Sequence, residues 1–314
     1  MRAIVIEAFG DPDVLQPREI DLPEPGPGQV RVAIYAAGTN PVETGNRRRA
    51  RFGIQLPAIL GCDASGVVDA LGPGVTTFAP GDEVFYMSDF QNTQWGTYAE
   101  YQVVGAAILA RKPRTLSHIE AAALPLAGGT AYETIIRRLA LTEGEWVLLY
   151  GAAGGVGILA LQIAVAQGAH VIAVAREQHH PLLRKLGAAA CLDYTTQDVL
   201  HEALAIAGRP MDAVADLVGG QTIARSLEVI RPFGRAATIA GIEGDLDLMI
   251  LHNLTLHGIL VRPDQARLEA LRGLVDTGHL RPIIDQVLPL KEVAQAHRRL
   301  ESSHGRGKII LQVR

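Results

Sequence analysis

The chain has 314 residues, 48% hydrophobic and 20% charged, with a formal net charge of −4 at pH 7. That is ordinary globular composition with room for two domains, and its acidic balance argues against a nucleic-acid-binding surface. Its apolar stretches fall well short of the roughly 18 residues of a membrane span, and the N-terminal MRAIVIEAFG has no signal core and runs straight into a strand pattern. Two isolated cysteines, Cys62 and Cys191, argue for a reducing compartment, by default the cytoplasm, and against a structural zinc site.

In chain order, Arg2–Glu7 and Gln29–Ala36 have strand character, with the Pro/Gly loop LPEPGPGQ between them. GVVDALGPGV and APGDEVF continue as strands joined by Gly-Pro turns, and Thr97–Val104 alternates as another strand. So many short strands predict a compact, barrel-like β domain. The pattern changes near residue 117, where Ser117 and Glu120 form a capping box. His118–Leu139 then reads as helix, broken around Pro125 and the Gly128-Gly129 pair.

From residue 145 strands and helices alternate. Strands are predicted at Trp146–Tyr150, Val171–Ala175, Cys191–Asp193, Ala213–Leu217 and Arg235–Ala240. Helices are predicted at Gly155–Ala166, Pro181–Leu186, Asp198–Ile206 and Gln221–Ile230. This alternation predicts an α/β class with a doubly wound parallel sheet. Leu246–Leu251 and Thr255–Val261 read as further edge strands, which need covering to avoid aggregation. Helices Asp264–Thr277 and Leu290–Leu300 and a strand Lys308–Val313 close the chain. Residues 1–120 with 261–314 are expected to form one domain and 121–260 the other.

The most informative segment is 145–176, EWVLLYGAAGGVGILALQIAVAQGAHVIAVAR. It reads strand, glycine turn, helix, strand, the unit that binds a dinucleotide pyrophosphate at a helix N-terminus. Ala152 stands at the usual first glycine. Gly154 lets the backbone approach the phosphates, and Gly157 lets the helix pack closely on the strand. An acid at the end of the second strand accepts from the ribose of NAD, whereas an arginine nearby suits the 2′-phosphate of NADP. Here Ala175 is followed by Arg176, whose planar fork matches phosphate oxygens, and this favours NADPH despite Glu177.

Further motifs carry a family resemblance. They are Asn40-Pro41-Val42-Glu43, the run Gly61 to Val68 (GCDASGVV), Ala79 to Val84 (APGDEV), Gly96 to Tyr101 (GTYAEY), Gly129-Thr130-Ala131-Tyr132 and Gly307-Lys308-Ile309-Ile310. Together with the A-x-G-G-V-G turn, they resemble the zinc-free quinone oxidoreductase branch, which includes zeta-crystallin, of the medium-chain dehydrogenase/reductase superfamily. The resemblance spans essentially the whole chain. It implies a GroES-like β-rich barrel domain beside a Rossmann domain, and a homodimer made through the sheet edge. It also implies hydride transfer from NADPH to quinones or related electrophilic carbonyls.

The resemblance also implies the site. Asn40, Asp63 and Thr130 form the catalytic set, with Asn40 and Thr130 near the nicotinamide. Ala153, Gly154, Gly155 and Val156 cover the pyrophosphate. Arg176 and Tyr194 meet the adenine ribose or its 2′-phosphate. Val218, Ile239, Ala240, Gly241, Leu256 and Gly258 complete the cofactor contacts. Two positions depart from the family pattern: a common tyrosine is Gly45, which widens the pocket, and a common lysine is His179.

No metal is expected. Alcohol dehydrogenases of the superfamily have cysteine where Asn40 stands and histidine where Cys62 stands. A catalytic zinc wants three thiolate, imidazole or carboxylate ligands, and Cys62 with Asp63 supplies at most two. Without a Lewis acid, an already electrophilic acceptor is the better fit. A 2-alkenal or enoyl double-bond reductase is the alternative reaction, and a non-enzymatic NADPH-binding structural or RNA-binding protein the alternative class.

Several residues have plainer readings. Cys62 reads as a small packed residue more readily than a reactive thiol. Asp63 reads as a structural acceptor for backbone N–H groups more readily than a proton donor. Arg47, Arg48, Arg49 and Arg51 either steer an anionic ligand or form a solvated face. His179-His180 lacks partners for a metal. Trp95 either walls the acceptor pocket or packs.

Overall fold

A computed structural model describes residues 1–302 and 305–314. The chain divides into two compact units, Met1–Ala127 with Arg262–Gly278 and Pro282–Arg314, and Gly128–Val261 with His279–Arg281.

The first unit begins with β1 (Arg2–Ile6), β2 (Gln16–Glu19) and β3 (Gln29–Gly38), then helix α1 (Pro41–Arg49). Next come β4 (Ala58–Ile59), β5 (Asp63–Leu71), β6 (Glu83–Met87), β7 (Tyr101–Gly105), β8 (Leu109–Arg111) and the short helix α2 (His118–Ala121). Pro125 opens α3 (Pro125–Tyr132), which leads into the second unit.

The second unit carries β9 (Trp146–Tyr150), α4 (Gly155–Ala166), β10 (His170–Val174), α5 (His180–Lys185) and β11 (Ala190–Leu192). It continues with α6 (Val199–Ala207), β12 (Met211–Asp216), α7 (Thr222–Ser226), β13 (Ile230–Thr238), α8 (Leu248–Leu251) and β14 (Thr255–Gly258). The chain then supplies α9 (Gln265–Asp276), β15 (Ile284–Pro289), α10 (Val293–Glu301) and β16 (Lys308–Gln312) to the first unit.

In the first unit a seven-stranded sheet runs β15-β16-β3-β5-β6-β8, with β7 also on β3, and a second sheet runs β2-β1-β4. β3 pairs with β5, β7 and β16, so the C-terminal strand lies antiparallel beside β3, with Ile310 opposite Gly38. That register brings Lys308 to the end of β3, where α1 begins.

The second unit is a six-stranded parallel sheet in the order β11-β10-β9-β12-β13-β14, the doubly wound arrangement built outward from its first strand. β9 (WVLLY) and β10 (HVIAV) read as nearly continuous apolar runs, as strands covered on both faces do. α4 is buried from Gly157 through Ala164, as a helix apolar all round must be.

Four expectations are corrected. The His118–Leu139 helix breaks ahead of Pro125, and it passes through the buried Gly128-Gly129 pair before loosening into π turns over Glu133–Arg138. Proline suits a first helical turn, so it starts a helix here. The helix expected at Gln221–Ile230 stops at Ser226, and after one 3₁₀ turn β13 starts at Ile230. Pro232 disfavours helical backbone just before it.

Leu246–Leu251 is not a strand: an Asx turn, with the Asp247 N–H donating to Asp245 Oδ1 at 2.8 Å, leads into the single turn α8. Leu246, Leu248 and Met249 pack against the core while Ile250 and Leu251 stay exposed. A short apolar run suits strand or helix equally. Finally, Arg47 is fully buried, so it belongs to no solvated or steering face, whereas Arg48, Arg49 and Arg51 are exposed.

Candidate active site

In the second unit the strand register builds the site. Leu192 lies opposite Val174, Val174 opposite Tyr150, Tyr150 opposite Asp216, Asp216 opposite Thr238, and Thr238 opposite Gly258. The carboxyl ends of all six strands therefore form one row. The segments just beyond carry Tyr194, Arg176, the turn from Gly151 to Val156, Val218 and Ile239–Gly241, with Leu256 and Gly258 on β14 itself. A row of this kind is where open parallel sheets bind ligands.

The turn after β9 needs its glycines. Gly151 has φ +70°, a left-handed conformation. A Cβ on Gly157 would lie 2.2 Å from Gly151 O and 2.7 Å from Ala152 Cα, so α4 packs on the turn backbone itself. Gly154, exposed in extended backbone, caps α4 and leaves its first N–H groups facing outward. This is a cradle for a pyrophosphate, and an N-terminal helix dipole favours its charge.

Past β10, Arg176 and Tyr194 are both exposed, and Arg176 Nε donates to Tyr194 Oη at 3.1 Å. Asp193 organises this corner: it accepts from Thr195 Oγ1 at 2.7 Å and from the N–H of Glu177 at 2.8 Å. Those hydrogen bonds, Thr195 first, hold its carboxyl below the usual range. His180, beside His179, is buried with its ring Nε2 2.9 Å from Ala175 O. Past β12, the buried Asp216 accepts from the N–H groups of Val218 and Gly219 and from Thr238 Oγ1 at 2.9 Å. One carboxylate thus ties the loop of Val218 to the end of β13 just before Ile239. Val218 is 61% exposed. Thr130 is buried on α3, its carbonyl accepting from Thr134 Oγ1 at 2.8 Å.

The first unit contains a buried polar cluster around Asn40. Asn40 caps α1 in a reciprocal box with Glu43, its backbone N–H donating to Glu43 Oε2. Asn40 Nδ2 donates to Glu43 Oε1 at 3.1 Å and to Asp63 Oδ2 at 3.0 Å. Lys308 Nζ donates to Asn40 Oδ1, to Thr39 O at 2.8 Å and to Asp63 Oδ2 at 3.3 Å. Asp63 Oδ1 also accepts the Leu126 N–H at 2.7 Å, at the start of α3. Asp63 is fully buried, as are Asn40, Glu43 and Lys308 to within a few per cent.

Burial is the largest influence on the Glu43 carboxyl and raises it to about 7; Asp63 adds to the rise, and Lys308 and Asn40 oppose it. Burial, then Glu43 and Asp63, push the Cys62 thiol well above its ordinary value, so it is a packed thiol at neutral pH. A small cavity beside it is lined by Glu43, Ile54, Leu60, Cys62, Phe90 and Gly96. Trp95, before β7, is 46% exposed.

A zinc ion does not suit this donor set. Asn40 Oδ1 and Asp63 Oδ2 already face the Lys308 ammonium, and Cys62 resists forming the thiolate that zinc needs. No group of three or more His, Cys, Asp or Glu side chains converges on a metal position among the described residues.

Four members of these clusters escaped sequence reasoning: Glu43, Lys308, Asp216 and Tyr98, which hydrogen-bonds Glu43 at 3.0 Å. For Glu43 the signal was local, a capping box N-x-x-E. For Asp216 it was an acid ending an apolar strand. Lys308 and Tyr98 stood only inside the motifs Gly307–Ile310 and Gly96–Tyr101, with no local pattern that gave them a role.

Comparison with known proteins gives matches along the chain. Residues 26–114 match the alcohol dehydrogenase GroES-like domain, and 186–311 match the zinc-binding dehydrogenase family. The quinone oxidoreductase of Pseudomonas aeruginosa is 32% identical over 99% of both chains. The mitochondrial NAD(P)H oxidoreductase RTN4IP1 of Mus musculus is 31% identical over all of this chain and 89% of its own. The solved structure of an NAD-dependent alcohol dehydrogenase superposes with a TM-score of 0.94 at 36% identity, over 100% of both chains. No helix among the described residues is long and apolar enough to cross a membrane.

Proposed function

We propose, on the premise that the chain belongs to the quinone oxidoreductase branch of the medium-chain dehydrogenase/reductase superfamily and is an NAD(P)H oxidoreductase, that it is a zinc-independent, NADPH-dependent reductase of quinones and related electrophilic carbonyls. The observation that carries this reading is the Lys308 ammonium seated between Asn40 and Asp63. It neutralises the buried carboxylate where a metal enzyme needs ligands. No strong Lewis acid then polarises an alcohol, and an acceptor that is already electrophilic takes the hydride.

NADPH supplies that hydride when bound. Residues Ala153–Val156 hold the pyrophosphate on the N-terminus of α4. Arg176, with Tyr194 beside it, would hold the 2′-phosphate, and this pair supports NADPH over NADH. Val218, Ile239, Ala240, Gly241, Leu256 and Gly258 line the row toward the nicotinamide, and Thr130 meets its ring.

Asn40 acts as an acceptor: both its amide protons are committed to Glu43 and Asp63, and its Oδ1 faces the Lys308 ammonium. Asp63 positions Asn40 and Lys308. The charge that develops on the acceptor is met by a ribose hydroxyl, backbone N–H groups or water.

We place the protein in a reducing compartment such as the cytoplasm, given its two unpaired cysteines, and assign it a homodimer through β14. The test is an acceptor panel. A simple 1,4-quinone should oxidise NADPH faster than NADH and faster than a 2-alkenal does. A clear preference for the alkenal would move the assignment to double-bond reduction. Tight NADPH binding without turnover of any acceptor would point to a non-enzymatic role.

A further inference from the structure

Behind Asn40 a chain of buried side chains runs to the surface: Glu43, Tyr98, His297, Arg47 and Glu301. Tyr98 Oη lies 3.0 Å from Glu43 Oε2 and 3.3 Å from His297 Nε2. Arg47 Nη1 lies 3.1 Å from His297 Nδ1, and Arg47 Nη2 donates to Glu301, which also pairs with Arg48 at 3.2 Å. Tyr98, His297 and Arg47 are fully buried. The links cross α1, the loop before β7 and α10, so no local sequence preference accounts for them.

The hydrogens in this chain have one possible order. A guanidinium has donors and no acceptor. Arg47 therefore donates to His297 Nδ1, and the ring proton must sit on Nε2. That N–H donates to Tyr98 Oη, which leaves the Tyr98 hydroxyl hydrogen for Glu43. Glu43 then accepts four donors: the Tyr98 hydroxyl, the Asn40 N–H, Asn40 Nδ2 and the Cys62 N–H at 3.0 Å. A carboxylate has about four acceptor sites, so a proton on Glu43 must displace one of these donors.

We propose that Tyr98, His297 and Arg47 are positioning residues: the single polarity of their hydrogen bonds holds Glu43 as an acceptor-only carboxylate, and Glu43 thereby fixes Asn40 with its amide nitrogen inward and its carbonyl oxygen on Lys308. This deepens the hydride-transfer reading and rests on it. A reversed Asn40 would set its carbonyl against two carboxylates and its NH₂ against the Lys308 ammonium.

The surrounding charges agree. His297 is held neutral, at about 3, by burial first and then by Arg47. The groups facing Glu43 are Tyr98, the Cys62 thiol, Asp63 on β5 and Lys308 on β16. Arg47 and Glu301 act on it only through His297.

The test follows Glu43 by pH-difference infrared spectroscopy of the NADPH-loaded protein. Its protonated carboxyl band is the one that disappears in Glu43→Gln. Tyr98→Phe removes one donor with little change of shape and should move the band's midpoint up by about one pH unit. Arg47→Met should also move it up, because the His297 ring can then reverse, and Arg47→Lys should restore it.

The acid limb of kcat/KM for quinone reduction should shift by the same amount, with the alkaline plateau kept. An unmoved band in Tyr98→Phe overturns the proposal, even if Arg47→Met does not fold. A moved band with an unmoved acid limb also overturns it, since Glu43 would then not govern Asn40. A moved band in a protein that turns over no quinone would instead overturn the hydride-transfer reading.

Discussion

At the scale of single residues, charge placement decides the chemistry. Arg176 is exposed, and among its hydrogen bonds is one to the Tyr194 hydroxyl, a contact that leaves other guanidinium donors for a phosphate. Arg176→Ala should raise the KM for NADPH about ten- to a hundredfold, from loss of a charge-assisted contact of roughly 1.5–3 kcal/mol, with NADH kinetics little changed. Equal loss for both cofactors in steady-state kinetics would count against a 2′-phosphate contact.

Two buried groups set opposite pH trends on stability. His297 is depressed to about 3 from an ordinary 6.5, so its contribution is present above 6.5 and is lost as pH falls toward 3. Glu43 is raised from 4.5 to about 7, so its contribution is present below 4.5 and is lost as pH rises through 7. His297→Gln keeps an acceptor for Arg47 and a donor for Tyr98 but does not titrate. Thermal melts across pH should therefore show its acid unfolding at lower pH than the wild type. Identical acid limbs would show that His297 is not the group responsible.

At the scale of elements, two glycines in helices make a contrast. Gly157 is covered by the backbone of its own turn, and a methyl there overlaps Gly151 O. Gly157→Ala should cost about 1–3 kcal/mol by overpacking and reduce the rise in melting temperature that NADPH produces in the wild type. Gly273 lies exposed in α9, and a methyl added there would meet nothing within 4 Å. Gly273→Ala should stabilise by about 0.5–1 kcal/mol. The glycine turn was legible in the sequence because the strand–turn–helix is local and its glycines answer to backbone geometry. α8 and the early start of β13 were not, because a short apolar run has no period of its own and takes its conformation from the core it meets.

At the scale of the whole molecule, β14 is the edge of the six-stranded sheet, and Ile250 and Leu260 on its flanks are 80% and 54% exposed. An open strand edge flanked by exposed apolar residues invites pairing with a second copy about a two-fold axis. Light scattering at micromolar concentration should give twice the chain mass, and Ile250→Glu with Leu260→Glu should halve it without unfolding. A native mass of one chain would remove the dimer. Leu248, half-buried against the core, is unsuitable for such a test. Exhaustive chelation should leave both quinone reduction and the melting temperature unchanged; zinc released in step with lost activity would overturn the metal-free assignment.

The sequence by itself determined the alternation of strands and helices after residue 145, apart from α8 and the start of β13, together with the dinucleotide turn and the family, since each is written in residues that are neighbours in the chain. It also determined that Asn40 and Cys62 stand where metal ligands would be. Only the tertiary structure decided what those residues touch. Lys308 reaches Asn40 across 268 positions of sequence, and Arg47 leaves the arginine run to meet Glu301 across 254. Periodicity and capping act within a few residues, so they can be read along the chain. A buried charge must find a partner wherever the packing offers one, and no local pattern records where that is.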